Sequence, residues 1–322
     1  MLRIARARSV AVVLAAAAAA GCGKVQSIPA PVAPNASLFE GATGSWMKPQ
    51  AKNADLLYVA DLNRNAVFVF TYPAGDHVGT LRGFSKPHGE CADAAGNVWV
   101  TNGTAQNLVE YAHGGTTRIA TLADPNGFPA GCAVDPVTGN LAVMNFSLGS
   151  GAGSVVVYAG AKGAPQQLPL STTAIPYRGV YDKKGNLWIS GMTSDARFVV
   201  FSEYLAVRQR WRYIRLTKHV FALPSGLQWL GDELVVGDQG PIDSPSSVYE
   251  FSVRRGVGRL VGSTPLTNSC NMLEFVVIGK TIVTGNICEK AVRYFAFPGG
   301  GTSTRAIRSG LSQPIGVVLS RP

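Results

Sequence analysis

Carboxylate and amide side chains recur beside short apolar segments of this 322-residue sequence. Oxygen ligands of this kind bind hard cations such as calcium, and a bound metal can activate water or polarise a carbonyl. The candidates for such a site are Glu90, Asn145, Asp238 and Glu274. As an alternative, Asn and Asp at strand ends hydrogen-bond the backbone of the adjoining loop. We favour this alternative, because these residue types recur in most copies of a repeat.

Histidine offers little for catalysis. Of the four His residues, only His88 falls at a predicted strand mouth, where it lies two positions before Glu90. A lyase or a His-based metal site needs several His or Glu residues together, and the sequence shows no such cluster. No nucleophile-elbow, zinc-protease or phosphate-loop motif occurs either. We therefore predict that His88 is a hydrogen-bonded histidine, with the His88–Glu90 pair as the one acid–base hypothesis to test.

A repeat of 42 to 48 residues positions these side chains. Three copies have an anchor residue in an apolar strand, then Asp, a Gly-Asn turn and a second strand, and two later copies keep this pattern more weakly. Most of the second strands end in Asn or Asp. The anchors are Gly89, Gly131, Gly179, Gly226, Glu274 and Gly316. Gly and Asn suit the turns because both tolerate positive φ. This period, with about four strands per copy, is typical of a β-propeller blade. With 37 Gly and 15% charged residues, the composition excludes a disordered chain and a coiled coil.

The two ends of the repeat region complete each other. The strand at about 314–320 is a first strand with no second strand after it, and the strand at about 55–61 is a second strand with no first strand before it. Pairing the two closes the ring and removes an open sheet edge. The sequence therefore predicts one all-β domain over residues 54–322, a six-bladed β-propeller, and we expect a monomer.

In such a ring, the loop before each first strand and the loop after each second strand open onto one face, which we call the mouth face. The predicted ligand-face residues are His88, Glu90, Asn102, Asn145, Tyr177, Arg178, Asp238, Glu274 and Asn286.

The segment from Tyr58 to Phe70 resembles an NHL repeat, and the Gly-Asn-Val-Trp-Val-Thr-Asn and Gly-Asn-Leu-Trp-Ile strings at 96–102 and 185–189 are similar to it. The resemblance covers residues 54–320 and implies a six-bladed propeller. Related folds include gluconolactonase-like hydrolases, peptidylglycine-type lyases, virginiamycin B lyase and many non-catalytic binding proteins. The resemblance therefore does not choose a function.

The N-terminal residues have the pattern of a targeting signal. Residues 1–21 combine a basic start with a short apolar run, which is typical of a signal peptide. Ala19-Ala20-Gly21-Cys22 resembles the lipobox of bacterial lipoproteins, with Ala19 in place of the usual Leu. We predict lipidation of Cys22 and a flexible tether over residues 22–53. Cleavage removes three Arg and no acidic residue, so the formal charge falls from +10 to +7.

Four further cysteines are expected to form disulfides, because an exported chain with an even number of cysteines favours them. Cys270 and Cys288 flank the first two strands of one copy on the mouth face, so their pairing is our first choice. Cys91 and Cys132 lie on neighbouring first strands and can pair if their Cα atoms come within about 7 Å.

One segment concentrates positive charge, with five basic residues at Arg208, Arg210, Arg212, Arg215 and Lys218. If it is a strand, the first three lie on one face and Trp211 and Tyr213 on the other. Such a patch suits anionic envelope polymers or lipid head groups. We favour the simpler hypothesis that its charges protect an exposed sheet edge.

These features predict an exported, lipid-anchored β-propeller that binds a protein or polymer at the cell envelope. It contacts the membrane only through the anchor, and we expect no nucleic acid partner. The alternatives are a metal-dependent hydrolase of the gluconolactonase-like type, with calcium as the possible cofactor, and a structural scaffold without a small ligand.

Overall fold

The computed structural model describes residues 44–125, 127–146, 152–170, 173–242 and 244–322. The predicted signal peptide and the lipidation site Cys22 lie outside these ranges. Within them the chain forms short strands and the 3₁₀ helices Pro49–Asn53, Ala159–Ala161 and Ala206–Arg208. No helix among the described residues is long and apolar enough to cross a membrane.

Antiparallel pairing within these ranges divides the strands into six consecutive groups, which we number as sheets 1 to 6. Sheet 1 contains β1 (Trp46–Met47), β2 (Leu56–Asp61), β3 (Ala66–Thr71), β4 (His77–Leu81) and β25 (Val318–Ser320). Sheet 2 contains β5 (Pro87–Ala92), β6 (Val98–Asn102), β7 (Asn107–Tyr111) and β8 (Arg118–Ala123). Sheet 3 contains β9 (Pro129–Val134), β10 (Leu141–Asn145), β11 (Ser154–Tyr158) and β12 (Gln166–Leu168).

The second half of the chain repeats the arrangement. Sheet 4 contains β13 (Ile175–Tyr181), β14 (Leu187–Met192), β15 (Val199–Leu205) and β16 (Arg210–Thr217). Sheet 5 contains β17 (Pro224–Leu230), β18 (Glu233–Asp238), β19 (Ser246–Arg254) and β20 (Val257–Leu266). Sheet 6 contains β21 (Phe275–Ile278), β22 (Thr281–Asn286), β23 (Ala291–Ala296) and β24 (Gly300–Ile307). These three sheets are also linked through their outer strands, because β20 pairs in parallel with β16 and with β24.

The first strands of the sheets form a closed circuit. Each of β5, β9, β13 and β17 contacts the first strand of the next sheet, and β25 contacts both β21 and β5. β25 also pairs with β2, where Leu56 lies opposite Ser320 and Tyr58 opposite Val318. The predicted closure by the two ends is therefore confirmed, and the fold is all-β and of β-propeller type. We interpret the six sheets as the six predicted blades.

The core consists of apolar layers between neighbouring sheets. Tyr58 and Val67 of sheet 1, for example, belong to one buried cluster with Val98 and Val109 of sheet 2. Alternation along each strand lets one face pack on the preceding sheet and the other on the following sheet, so both faces are apolar.

Glycine has two separate roles in the repeat. The turn glycines, such as Gly96 and Gly185, have φ of +79° and +75°, as the Gly-Asn turns predict. At the anchors the reason is close approach: a Cβ on Gly89 would lie 2.6 Å from the carbonyl oxygen of Ala130 on the next sheet. At this position β5 can approach β9 so closely only because residue 89 has no side chain.

The folded region begins earlier than predicted. Residues 46–53 fall in the predicted tether, but Trp46 of β1 pairs with Thr80 of β4 and Ala51 of the following 3₁₀ helix is fully buried. The tether boundary at residue 53 is therefore wrong, because apolar residues ahead of it extend the outer edge of sheet 1.

Both predicted disulfide pairs form. The Cα atoms of Cys91 and Cys132 are 5.7 Å apart and join β5 to β9, the first strands of sheets 2 and 3. Those of Cys270 and Cys288 are 6.0 Å apart and join the loop before β21 to the loop after β22 within sheet 6.

Candidate functional site

Four of the predicted ligand-face residues meet where the first strands come together: His88, Glu90, Arg178 and Glu274. We call them the central cluster. His88 and Glu90 lie on β5, Arg178 lies on β13, and Glu274 directly precedes β21. Nε of Arg178 is 3.7 Å from Oε1 of Glu274, and its Nη2 is 3.2 Å from Nδ1 of His88. Glu90 and Arg178 are buried, with 3% and 2% of their surface exposed.

Burial decides the protonation of the two carboxyl groups. It raises the pKa of Glu90 well above its usual range, and the nearby Glu274 adds to this while Arg178 opposes it. It also raises the pKa of Glu274 to about 7, again against the effect of Arg178. A neutral carboxylic acid avoids the free-energy cost of a buried, unpaired charge. Near neutral pH, therefore, Glu90 holds its proton while Glu274 titrates beside the guanidinium.

His88 remains neutral in this environment. Burial, followed by the charge of Arg178, holds the pKa of His88 well below its usual value. Its Nδ1 is 3.0 Å from the carbonyl oxygen of Ala130 as well as 3.2 Å from Arg178. In a neutral ring Nδ1 either donates to the carbonyl or accepts from the guanidinium, according to the tautomer, but does not do both at once. These contacts place Nδ1 of His88 against Ala130 and Arg178.

The four oxygen residues considered for a metal do not converge. Carboxylate oxygens of Asp238 accept hydrogen bonds from the backbone N–H groups of Ala222, Leu223 and Gly240. Asn145 instead donates to Ser154 across sheet 3. Only Glu90 and Glu274 share one location, and there the guanidinium of Arg178 is already the cation.

No metal-binding group occurs elsewhere among the described residues. Within the part of the chain that the structure describes, no three or more His, Cys, Asp and Glu side chains are placed to hold a metal ion. The donor set does not fit calcium, and we derive no metal-assisted step.

Polar side chains at the ends of the second strands fasten loops on the mouth face. Oδ1 of Asn102 accepts from the backbone N–H of Ser85 at 2.6 Å, and Nδ2 of Asn286 donates to the carbonyl of Asn268 at 2.8 Å. The remaining predicted residue, Tyr177, packs edge to face on Phe146 with ring centres 5.4 Å apart. The two hydrogen bonds hold the loops that enter sheets 2 and 6 against the second strands of those sheets.

The structure adds an aromatic contact that the sequence did not indicate. Nε2 of His219 lies 3.0 Å from Oδ2 of Asp238, and the His219 ring stacks on Tyr249 at 3.8 Å between centres. Phe221 packs edge to face on the same histidine at 4.5 Å. The loop before β17 is thus held by a hydrogen bond to the carboxylate of Asp238 and by aromatic packing on Tyr249.

Three large apolar side chains on this part of the mouth face are exposed. Phe198 precedes β15, Val220 precedes β17 and Ile242 follows β18, and they are 65%, 91% and 75% exposed. By the strand order, all three loops lie on the mouth face of sheets 4 and 5. The sequence carries a signal only for Ile242, which stands among polar and turn-forming residues, whereas Phe198 and Val220 adjoin further apolar residues.

The basic segment differs from its predicted form. Arg208 ends a 3₁₀ helix, Gln209 has φ of +49°, and β16 begins only at Arg210. The predicted alternation from 208 onwards is therefore wrong, because a turn reverses the chain first. Arg215 lies opposite Val257 in the parallel pairing of β16 with β20. The hypothesis that the segment protects an open edge is thus wrong for residues 215–217, where the edge is paired.

No family model matches the chain, and no curated protein matches it in sequence. Solved structures do match. A chain in the crystal structure of a nidogen/laminin complex has a TM-score of 0.66 at 13% identity, over 83% of this chain and 98% of that one. A protein of unknown function from Bacteroides caccae has a TM-score of 0.63 at 10% identity, over 84% of this chain and 100% of that one. Hydrazine synthase from Kuenenia stuttgartiensis has a TM-score of 0.56 at 12% identity, over 80% and 79%. These likenesses concern the fold alone.

Proposed function

We propose that this protein is an exported, lipid-anchored β-propeller that binds a protein partner at the cell envelope through its mouth face. The observation that carries the proposal is the set of exposed apolar side chains at Phe198, Val220 and Ile242. Exposed apolar residues gathered on one surface are typical of interaction sites, whereas isolated ones are normal.

The loops that carry Val220 and Ile242 are held in place before any partner arrives. Asp238 binds the backbone N–H groups of Ala222 and Leu223, and the N–H of Gln239 donates to the carbonyl of Leu223 at 3.2 Å. Little conformational entropy is then lost on binding, which favours affinity. A neighbour of similar fold that belongs to a nidogen/laminin complex supports a protein as the partner.

Export and anchoring rest on the sequence at residues 1–22, and the two disulfides support them, since such bonds persist in oxidising compartments. The test of the anchor is Cys22→Ala. We expect the variant to leave the membrane fraction and to lose the mass of the lipid. An unchanged mature mass and an unchanged fractionation would remove the anchor from the proposal.

The binding face is tested by in-cell crosslinking with matched surface variants. The triple variant Phe198→Ser, Val220→Ser, Ile242→Ser removes the apolar set from the mouth face. The control, Ile119→Ser, Val137→Ser, Val207→Ser, removes three exposed apolar residues from loops and an outer strand elsewhere, where they are 52%, 64% and 95% exposed. We expect the first variant to lose its crosslinked adduct and the control to retain it. Equal adducts in both would contradict a mouth-face partner and favour the scaffold hypothesis.

A further inference from the structure

A second candidate site lies on the face opposite the mouth face. A cavity of about 570 Å³ opens there between sheets 4 and 5. Its walls come from the turns that join β13 to β14, β15 to β16, β17 to β18 and β19 to β20, all of which end on that face. We call it the basic cavity, because its lining includes Lys183, Lys184, Arg208, Arg212 and Arg255. Two of these arginines come from turns of different sheets, so the folded ring brings together charges that are far apart in sequence.

Most acidic groups in the lining are engaged within the protein. Asp182 accepts from the backbone N–H groups of Lys184 and Asn186, and Glu203 accepts from Nε of Arg212 at 2.9 Å. Arg208 and Arg255 are exposed, and neither forms an ion pair within the described residues. Their guanidinium groups are therefore available to bind an anion in bidentate fashion.

Aromatic side chains form the inner wall. The rings of Trp188 and Trp229 pack edge to face with their centres 5.1 Å apart, and Nε1 of Trp188 donates to Asp182 at 3.1 Å. Trp188 is buried and Trp229 is half-buried, so the indole of Trp229 is the part that a ligand can reach. A flat indole offers contact area to the apolar face of a sugar ring, and it is already fixed by its neighbours.

We propose that the basic cavity binds an acidic saccharide, a glycan segment whose rings carry carboxylate groups. Arg208 and Arg255 bind the carboxylate, and the indole wall packs on the ring. The acidic residues in the lining disfavour a densely charged polyphosphate, because they repel it. The site is separate from the mouth face and does not depend on the protein partner proposed there.

The experiment titrates the mature protein with trigalacturonate, its methyl ester and inorganic tripolyphosphate, followed by calorimetry and tryptophan fluorescence. The cavity variant is Arg208→Gln with Arg255→Asn, where Asn tolerates the φ of +50° at position 255. The control is Arg210→Gln with Arg254→Gln, which changes the net charge equally at exposed neighbours that do not line the cavity.

We expect trigalacturonate to bind about tenfold more tightly than its ester, and the cavity variant to lose about tenfold in affinity, as for the loss of charge-assisted hydrogen bonds. The control should match the unmodified protein. Equal binding of acid and ester, tighter binding of tripolyphosphate, an equal loss in the control, or no binding of trigalacturonate would each overturn the proposal.

Discussion

Nε of Arg178 lies 3.7 Å from Oε1 of Glu274, and the two side chains are only 2% and 12% exposed. Arg178 belongs to sheet 4 and Glu274 to sheet 6, while Glu90 of sheet 2 lies close enough to feel both charges. Alternate sheets of the ring are therefore coupled through one buried group of charges near the axis. Removing one member of such a group leaves an uncompensated charge, which costs much more than the intact pair contributes.

We expect Arg178→Gln to lower the free energy of unfolding by about 3 kcal/mol, because Glu274 loses its counter-charge in a buried site. Urea denaturation at pH 8, where Glu274 is mostly ionised, measures the effect. The double variant with Glu274→Gln should recover much of the loss, since the orphaned carboxylate is then absent. If the loss of unfolding free energy in the double variant equals the sum of the losses in the two single variants, the two residues are not coupled.

The pKa of Glu274, raised from its usual 4.5 to about 7, sets a pH dependence of stability. Because the folded state binds this proton more tightly than the unfolded state, the contribution is most favourable below pH 4.5. This contribution to the free energy of unfolding declines as the pH rises towards 7 and stays constant at higher pH. The total change is about 3 kcal/mol at most.

The measurement compares unfolding free energies at pH 5 and pH 8 in the unmodified protein and in Glu274→Gln. We expect the variant to depend less steeply on pH. Glu90 contributes in the same direction, so a residual slope remains. An identical slope in both proteins would show that Glu274 does not titrate in this range.

The fold could be predicted well from the sequence because the repeat contains glycines at positions where the backbone conformation requires them. Gly96 and Gly185 occupy turns with positive φ, and Gly89 sits where β5 meets β9 too closely for a side chain. The parallel pairing of β16, β20 and β24 was not predictable, since it depends on how far neighbouring sheets lean together at their outer edges.

The central cluster was predictable only in part. The position of Arg178 beside an anchor placed it on the mouth face, but no spacing indicates which residues across the ring it meets. Pairing of His219 with Asp238 was missed for a related reason, as it depends on the path of the loop before β17. Local patterns predict strands and turns, whereas these contacts arise from the closure of the whole ring.

Asp238 is expected to stabilise the mouth face through several backbone hydrogen bonds. Asp238→Ala should lower the free energy of unfolding by about 2 kcal/mol, because N–H groups of Ala222, Leu223 and Gly240 lose a charged acceptor. Asp232→Ala is the control, since that side chain is fully exposed. In urea denaturation, Asp238→Ala should unfold at a lower urea concentration than Asp232→Ala. Equal midpoints would contradict a stabilising role for the hydrogen bonds that Asp238 accepts.

The two disulfides should differ in their effect on stability. Cys91 and Cys132 are separated by 41 positions and Cys270 and Cys288 by 18, and the longer loop constrains the unfolded chain more. Replacing the first pair by Ala should therefore cost about 1 kcal/mol more than replacing the second. Thermal and urea unfolding of the two double variants test this order. Intact mass before and after reduction, which should differ by four hydrogens, checks that both bonds are present.

The pairing of β25 with β2 has a consequence for the order of events during synthesis. Sheet 1 stays incomplete until residues 318–320 have been made, although β2, β3 and β4 are among the first parts of the domain to appear. The nascent chain cannot close its ring while it is being translated. The ring therefore closes only after the domain has been synthesised, when its last short strand pairs with one of its first.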